Sequence, residues 1–277
     1  MMLEVKGAAK AFGKQRALSN INWQVSQGDF WGVIGPNGSG KSTLLNLLSG
    51  IESPDQGDVL LKGRPVKSYR RKELSKRLAV LQQDGLPPVS FTVREVIEMG
   101  RYPFQDWRGT DRDENAESIL EDIMHRLDLN SIADRPLSSL SGGQRQRAAL
   151  GKVMAQQPEV ILLDEPTTFL DIRYQMQFME LVEAWREREG LTVIAVMHDL
   201  NLAALYCSSL VVLNHGEIAA SGSPGEILKP DLIQHIFAVN SYSIHHPDHG
   251  EPQLLYRRGL NQTPGDPLTH SIYGKRG

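Results

Sequence analysis

The sequence predicts an α/β protein built around a parallel sheet. Residues 30–34 form an apolar run, followed by a glycine-rich turn and a leucine-rich segment that ends at Gly50, a pattern typical of strand, loop and helix. Residues 160–163 and 192–196 have the length and branched composition of buried strands, and a predicted helix closing near Gly190 lies between them. Strands that alternate with helices in this way favour a parallel sheet.

The middle of the chain, about residues 86–157, has mainly helical patterns. Thr92 to Glu95 match a capping box and residues 110–113 match its looser acidic form, so we expect a helix to open at each. The second predicted helix carries an apolar stripe at helical spacing, formed by Ala116, Ile119, Leu120, Ile123, Met124 and Leu127.

The last third of the chain contains signals for a hairpin and a short helix. Residues 210–213 and 217–220 flank the turn Asn214-His215-Gly216, which predicts a hairpin. Ser223 then suits a helix N-cap with Pro224 at the first helical position. From about Gly259 the chain is polar with scattered Gly and Pro, which indicates a loosely held tail.

Composition narrows the classes of function. The chain has 277 residues, of which 40% are hydrophobic and 23% charged, and this suits a globular protein with a sizeable core. No apolar run approaches the roughly 20 residues of a membrane-spanning helix. One cysteine, Cys207, cannot form an internal disulfide, and residues 1–10 lack a secretory signal, so we expect a cytoplasmic protein. A formal net charge of −3 gives no reason to expect nucleic acid as a partner.

The turn after the first of these strands fits the P-loop pattern, and it stands between strand and helix as its mechanism requires. Backbone amides curled by glycines, together with the helix N-terminus, would face the phosphates of a nucleotide. Lys41 supplies positive charge near the terminal phosphates, and the Ser42 hydroxyl can bind Mg²⁺. The predicted nucleotide-binding residues are Gly35, Pro36, Asn37, Gly38, Ser39, Gly40, Lys41, Ser42 and Thr43.

Two carboxylates, Asp164 and Glu165, follow the predicted strand at residues 160–163, at the end where open α/β sheets bind ligands. Asp164 suits a Mg²⁺ shell, and Glu165 is the candidate to polarise an attacking water. An acidic pair after a strand is, on its own, more often a solvated strand end. The P-loop upstream is what favours the catalytic interpretation.

The segment Leu140-Ser141-Gly142-Gly143-Gln144 precedes a predicted helix at residues 144–157, so it forms a second anion-binding helix N-terminus. This segment matches the signature sequence of the ABC (ATP-binding cassette) ATPases, and the chain resembles that family over nearly its whole length. The resemblance implies a P-loop NTPase (RecA-like) core with an antiparallel β subdomain and an inserted α-helical subdomain. It also implies a head-to-tail dimer, in which Ser141, Gly142, Gly143 and Gln144 of one copy close over ATP and Mg²⁺ on the P-loop of the second copy.

The same resemblance implies roles for single residues. Phe12 corresponds to the aromatic residue that stacks on adenine, and Gln83 to the glutamine that senses the terminal phosphate and Mg²⁺. Its neighbour Gln82 stands where relatives usually have Pro, which leaves open which glutamine acts. Asp171 corresponds to the aspartate that reaches across the dimer, and His198 to the switch histidine that contacts the γ-phosphate. The implied catalytic residues are therefore Glu165, His198 and Gln83, and the implied Mg²⁺ ligands are Ser42, Gln83 and Asp164.

Residues 92–104 indicate what the ATP is used for. This segment resembles the corresponding part of importer ATPases for iron-siderophore, haem and cobalamin uptake, in which the region beside the glutamine receives a coupling helix from a permease. The implied partners are a permease and, indirectly, an extracytoplasmic substrate-binding protein, and the implied location is peripheral, on the cytoplasmic face of the cell membrane. We predict uptake of an iron-siderophore or related metal chelate, with haem and cobalamin as alternatives.

A soluble role is the competing class. A translation-type member would carry two cassettes in one chain and a repair-type member a long coiled-coil insertion, and the sequence has neither. An iron–sulfur cluster assembly factor remains as an alternative, although Arg101-Tyr102-Pro103-Phe104 favours the importer.

The predicted domains are an ABC ATPase domain at residues 1–240, with the helical subdomain inserted at about 86–157, and a C-terminal extension at 241–277 with a hairpin and a flexible tail. The extension holds His245, His246, Asp248 and His249, a group that could bind a divalent metal. The turn Asp248-His249-Gly250 between two apolar segments is explained more simply by a hairpin.

Overall fold

A six-stranded sheet forms the centre of the protein in a computed structural model that describes residues 1–83, 86–168 and 170–258. In spatial order its strands are β10 (Glu217–Gly222), β9 (Ser209–Asn214), β3 (Phe30–Ile34), β8 (Thr192–Val196), β7 (Val160–Asp164) and β6 (Leu78–Leu81). Neighbouring strands are parallel except in the β9–β10 hairpin at one edge. The predicted α/β class with a parallel sheet is confirmed.

The sequences of the central strands are continuous apolar runs because both faces of the sheet are buried. In β7, Ile161 and Leu163 point into one hydrophobic core, whereas Val160 and Leu162 point into the other. All four of these side chains are completely buried. Asp164, the last residue of β7, and Glu165, which follows it, therefore stand at the end of a buried strand.

An antiparallel sheet covers one face of the central sheet. Its spatial order is β2 (Gln15–Val25), β1 (Leu3–Phe12), β4 (Gln56–Leu61) and β5 (Arg64–Pro65). Helix α1 (Lys41–Ser49) lies between the two sheets and shares one core with both. This arrangement supplies the antiparallel subdomain beside a P-loop NTPase core.

The remaining helices lie mainly on the other face. They are α2 (Arg71–Leu74), α3 (Val93–Glu98), α4 (Ala116–Arg126), α5 (Gly142–Ala155), α6 (Ile172–Glu189), α7 (Leu200–Tyr206), α8 (Pro224–Ile227) and α9 (Pro230–Phe237), with short 3-10 helices at Val66–Ser68, Met99–Phe104, Asn130–Ile132 and Leu137–Ser139. The capping box predicted at Thr92 is present: its hydroxyl accepts from the Glu95 amide at 3.2 Å.

The capping box predicted at residues 110–113 is wrong. Helix α4 begins later, at Ala116. The reason is the buried Arg101, whose guanidinium donates to Asp111 Oδ2 at 2.7 Å and to Asp113 Oδ2 at 3.0 Å, so that both carboxylates are engaged elsewhere. Helix α5 also differs from its predicted range, because it begins at Gly142 with Ser141 as its N-cap. The two signature glycines thus lie in the first helical turn.

The C-terminal part described by the structure is a hairpin of β11 (Ser241–His245) and β12 (Pro252–Tyr256). The rings of His246 and His249 stack with centroids 5.0 Å apart, and nowhere in the described ranges are three or more His, Cys, Asp or Glu residues grouped to hold a metal ion. The predicted tail from about residue 259 lies outside the described residues, and the boundary at residue 240 stays a prediction. None of the described helices is both long and apolar enough to cross a membrane.

Candidate functional site

The P-loop turns tightly between β3 and α1, against the end of β9. Gly35 has φ 153°, and a Cβ atom built on it would lie 2.1 Å from the backbone oxygen of Leu213. No larger residue fits there, since carbon and oxygen atoms cannot approach so closely. The amides at the start of α1 are thereby aimed into the space above the loop, where a phosphate would be stabilised by the helix dipole.

Lys41 lies folded over the P-loop. Its Nζ donates to the backbone oxygens of Gly35 at 2.9 Å and Pro36 at 3.0 Å, and the residue is only 6% exposed. Burial lowers the pKa of the Lys41 ammonium, although the negative charges of Glu165 and Asp164 oppose the shift. A phosphate bound at the loop would add the negative charge that favours the ammonium form.

Asp164 stands at the end of β7 with one oxygen unpaired. Its Oδ1 is buried and has no hydrogen-bond partner within the described residues. Burial raises the pKa of the Asp164 carboxyl, and the charge of Glu165 raises it further, against the opposing effects of Lys41 and His198. A bound cation would provide the partner that this buried carboxylate oxygen lacks.

Glu165 is held by three side chains. Gln83 Nε2 donates to Oε2 at 2.7 Å, the Thr168 hydroxyl donates to the same oxygen at 3.2 Å, and His198 Nε2 pairs with Oε1. Gln82 is exposed, so Gln83 is the glutamine placed at the carboxylate. The backbone of Glu165 has φ 48°, a left-handed conformation that is uncommon for a non-glycine residue and costs energy.

A cavity of about 470 Å³ opens beside the P-loop. It is lined by Phe12, Gln15, Arg16, Ala17, Asn37, Gly38, Gly40, Lys41, Ser42, Thr43 and Glu165. Phe12 is half exposed at its mouth, with the Lys10 ammonium 5.4 Å from the centre of its ring. The exposed part of the ring offers a surface on which a planar base can stack. The volume lies within the usual range of ligand pockets, about 300–1,000 Å³.

The signature residues lie outside this cavity. The Ser141 hydroxyl accepts from the Gln144 amide at 3.3 Å, Ser141 and Gly142 are exposed, and none of the residues from Ser141 to Gln144 is part of the described cavity lining. Asp171 caps α6 by accepting from the Tyr174 amide at 3.0 Å. Within a single copy of the chain, the P-loop and the segment from Ser141 to Gln144 therefore do not line a common cavity among the described residues.

The family of the protein follows from comparison with known sequences. The family model for ABC transporters matches residues 18–168, more than half of the chain. The chain belongs to the ABC transporter family. As a member it binds ATP and hydrolyses it, and the hydrolysis is coupled to transport.

Relatives of this ABC subunit include two proteins named for iron compounds. The chain is 40% identical over 244 residues to the ferric enterobactin transport ATP-binding protein of Escherichia coli K12, covering 88% of this chain and 90% of that one. It is 40% identical over 256 residues to the hemin import ATP-binding protein of Rhodococcus jostii RHA1, covering 92% and 86%. Among solved structures, a metal-chelate type ABC transporter in an inward-facing conformation matches with a TM-score of 0.79 at 25% identity, covering 92% of this chain and 97% of that chain.

Three contacts of the ABC subunit's site were not predicted. Thr168 binds the Glu165 carboxylate, Arg16 lines the cavity, and Gln146 of α5 donates to the Pro166 oxygen at 2.9 Å. The spacing of three residues between Glu165 and Thr168 could have indicated the first contact, since it allows a side chain to fold back across a turn. The other two join segments distant in sequence, for which no local signal exists.

Proposed function

We propose that the chain is the ATP-hydrolysing subunit of an importer for an iron-siderophore or a related metal chelate. It works as a homodimer, peripheral on the cytoplasmic face of the cell membrane, beneath a permease. The observation that carries this proposal is the similarity to the ferric enterobactin transport protein across about nine-tenths of both chains. An extracytoplasmic binding protein delivers the chelate to the permease and contacts this chain only indirectly.

In the proposed nucleotide complex, Phe12 stacks on adenine and the P-loop amides with Lys41 hold the phosphates. Ser42, Asp164 and Gln83 offer the oxygen ligands that Mg²⁺ prefers, and the unpaired Oδ1 of Asp164 is the observation that fits a cation best. When bound, Mg²⁺ neutralises charge on the β- and γ-phosphates.

Glu165 is the proposed residue that polarises the attacking water for in-line displacement at the γ-phosphate. Both of its oxygens are engaged by Gln83, Thr168 and His198 in this structure. A carboxylate oxygen can accept more than one hydrogen bond, and among the described residues Oε1 has only the His198 contact, so Glu165 can accept from the attacking water while these partners hold its orientation.

A second copy of the chain completes each site. Ser141, Gly142, Gly143 and Gln144 of the second copy supply an anion-binding helix N-terminus over the phosphates, because these residues do not line the cavity of their own chain. Asp171, which caps α6, reaches toward the dimer interface. Two copies arranged head to tail thus form two shared sites.

The permease docks in a groove of about 490 Å³ next to the end of α1, here named the docking groove. It is lined by Ser49, Gly50, Ile51, Ser53, Val66, Lys67, Tyr69, Arg71, Lys72, Leu74, Ser75, Leu78, Val80 and Tyr102. Exposed apolar surface at Ile51 and Tyr102 beside three basic side chains suits an amphipathic permease segment. Tyr102 belongs to the segment 92–104 that resembles importer ATPases.

Haem is the second candidate substrate, since the hemin import protein of Rhodococcus jostii is equally identical to this chain. Cobalamin is a further candidate, since the cobalamin import ATP-binding protein of Halobacterium salinarum is also 40% identical to this chain. The soluble alternative of an iron–sulfur cluster assembly factor stays a prediction. The nucleotide site is common to all of these alternatives, so the partners of the chain decide between them.

Glu165→Gln is the variant that tests the proposal. Loss of the carboxylate should lower kcat by about 10²–10⁴-fold, because a general base contributes about that much, while ATP binding is kept. The variant should then remain as a closed dimer on Mg-ATP. We expect a pull-down from detergent-solubilised native membranes with Mg-ATP to recover a many-span permease and a chelate-binding protein, identified by mass spectrometry.

The matched control is the double variant Lys41→Ala with Glu165→Gln, which should bind nucleotide poorly and not form the closed dimer. A haem- or cobalamin-binding protein among the partners would replace the siderophore assignment by one of the alternatives. Recovery of soluble partners alone would reject the importer, and a parental hydrolysis rate would reject Glu165 as the base.

A further inference from the structure

The C-terminal hairpin is fastened to helix α7 through Asn201. The Leu254 amide donates to Asn201 Oδ1 at 2.7 Å, and Asn201 Nδ2 donates to the Leu254 oxygen at 3.2 Å. A third bond runs from Gln253 Nε2 to the Asn201 backbone oxygen at 3.3 Å. The carboxamide thus pairs with the free edge of β12 much as a neighbouring strand would, and the Leu254 side chain is buried in the core shared with α7.

Asn201 lies within the first turn of α7, three positions after His198. Asp199 caps the helix by accepting from the amides of Asn201 at 2.9 Å and Leu202 at 3.0 Å. His198 precedes this cap, and its Nε2 contacts Glu165. Only two residues, Asp199 and Leu200, lie between His198 and the point where the hairpin is attached.

We propose that Asn201 is a positioning residue for His198, and that the C-terminal hairpin is the support that holds it. With both hydrogen bonds to Leu254 in place, the first turn of α7 is fixed from outside as well as by its own cap. Without them, the turn and the imidazole before it can shift relative to Glu165 and the γ-phosphate. This inference rests on the proposed role of His198 in the nucleotide site.

The expected effect falls on turnover and not on ATP binding. Asn201 and the hairpin are absent from the described lining of the cavity, which contains Phe12 and the P-loop residues. A displacement of about 1 Å at a catalytic group can cost about 100-fold in rate. Because the Asp199 cap remains, we expect Asn201→Leu to lower kcat by about 10-fold with KM for ATP changed less than about two-fold.

The test compares point variants with two truncations in a steady-state ATPase assay. A chain ending at Asn240 lacks the hairpin, and a chain ending at Arg258 keeps it. We expect the first truncation to lose kcat as Asn201→Leu does, and the second to match the parent. In the chain ending at Asn240, Asn201→Leu should cause no further loss, because the partner of the side chain is already gone.

Further variants separate positioning from folding. Gln253→Ala removes one of the three bonds and should lower kcat about two-fold, which keeps a graded test available if the shorter truncation fails to fold. His249→Ala, in the exposed hairpin turn, should have parental kcat and KM.

Three results would overturn the inference: parental kcat in Asn201→Leu, an equal loss from Asn201→Leu with and without the hairpin, or a raised KM at constant kcat. His198→Ala distinguishes these from failure of the proposed function. Parental activity in that variant would refute the role of His198 itself, whereas inactivity of His198→Ala beside a fully active Asn201→Leu would refute the positioning role alone.

Discussion

Replacing Asp164 by Asn is expected to stabilise the nucleotide-free protein while abolishing its activity. Asp164 Oδ1 is buried without a hydrogen-bond partner in the described structure, and burial together with Glu165 raises the pKa of the Asp164 carboxyl. A raised pKa means that the fold disfavours the ionised form, despite the attraction of Lys41. Asn has nearly the same shape and no charge, so the variant loses this unfavourable contribution.

The size of the effect follows from the position of Asp164. Relief of a destabilised active-site charge raises the free energy of unfolding by about 0.5–2 kcal/mol. At about 2–4 °C per kcal/mol for a large domain, Tm should rise by about 1–8 °C. Since the folded pKa lies above the unfolded value of about 3.9, the protonated form of Asp164 stabilises the fold below that pH. That contribution is lost as pH rises through the folded pKa, so the advantage of the variant grows above about pH 4 and levels off once pH has passed the raised pKa of Asp164.

The assay is a urea titration at several pH values from 5 to 8, first without nucleotide and then with Mg-ATP. Parent protein at 100 times Kd should gain about 2.7 kcal/mol from the ligand. The variant should gain less, because a proposed Mg²⁺ ligand is missing. Asp134→Asn, an acid-to-amide change at an exposed position, is the matched control and should behave as the parent does. A variant that is less stable than the parent without nucleotide, or equally stabilised by Mg-ATP, would refute the reasoning.

Two further predictions concern Lys41 and Arg101. Lys41→Ala should weaken ATP binding by about 10–100-fold, since a charge-assisted hydrogen bond contributes about 1.5–3 kcal/mol, and unchanged affinity in equilibrium dialysis would count against the P-loop assignment. Arg101→Gln should lower the free energy of unfolding at pH 7 by about 2–4 kcal/mol, because two carboxylates lose a buried partner. Although burial raises it, the pKa of Asp111 is held below its usual range by Arg101. The stability that this ion pair contributes is present above about pH 3.9 and is lost as pH falls through the lowered pKa of Asp111. The difference in unfolding free energy between Arg101→Gln and the parent should therefore shrink in acid. Urea titrations that show the same difference at every pH would contradict this account.

The parts of the site that sequence could locate are contiguous in the chain. The P-loop follows β3 and opens α1 without interruption, so a local pattern contains its whole geometry. The hydrogen bond between Gln83 and Glu165 joins residues 82 positions apart, and those between Asn201 and Leu254 join residues 53 positions apart. The family resemblance could suggest that Gln83 and Glu165 share a site. No sequence pattern indicates that Asn201 and Leu254 are in contact.

Two capping-box patterns had different outcomes, and in both cases the competing partners of the side chains decided which. At Thr92 and Glu95 the side chains meet no competing partner, so the local pattern decides the structure. At residues 110–113 the carboxylates of Asp111 and Asp113 bind Arg101, and the helix starts only after them. A buried charge requires partners more strongly than a helix end requires a cap, so a tertiary contact overrides the local preference.

Arg101 also explains how the docking groove can be connected to the signature. Tyr102 lines the groove, and the adjacent Arg101 donates to the Ala155 oxygen at 3.2 Å, at the C-terminal end of α5. Gly100 lies so close to this helix that a Cβ atom would stand 2.0 Å from the Lys152 oxygen. Ser141 caps the other end of the same helix, about 20 Å away at 1.5 Å per residue. If the permease binds the docking groove as proposed, a force applied at Tyr102 would move α5 and with it Ser141 as one body, because a helix of this length is stiff.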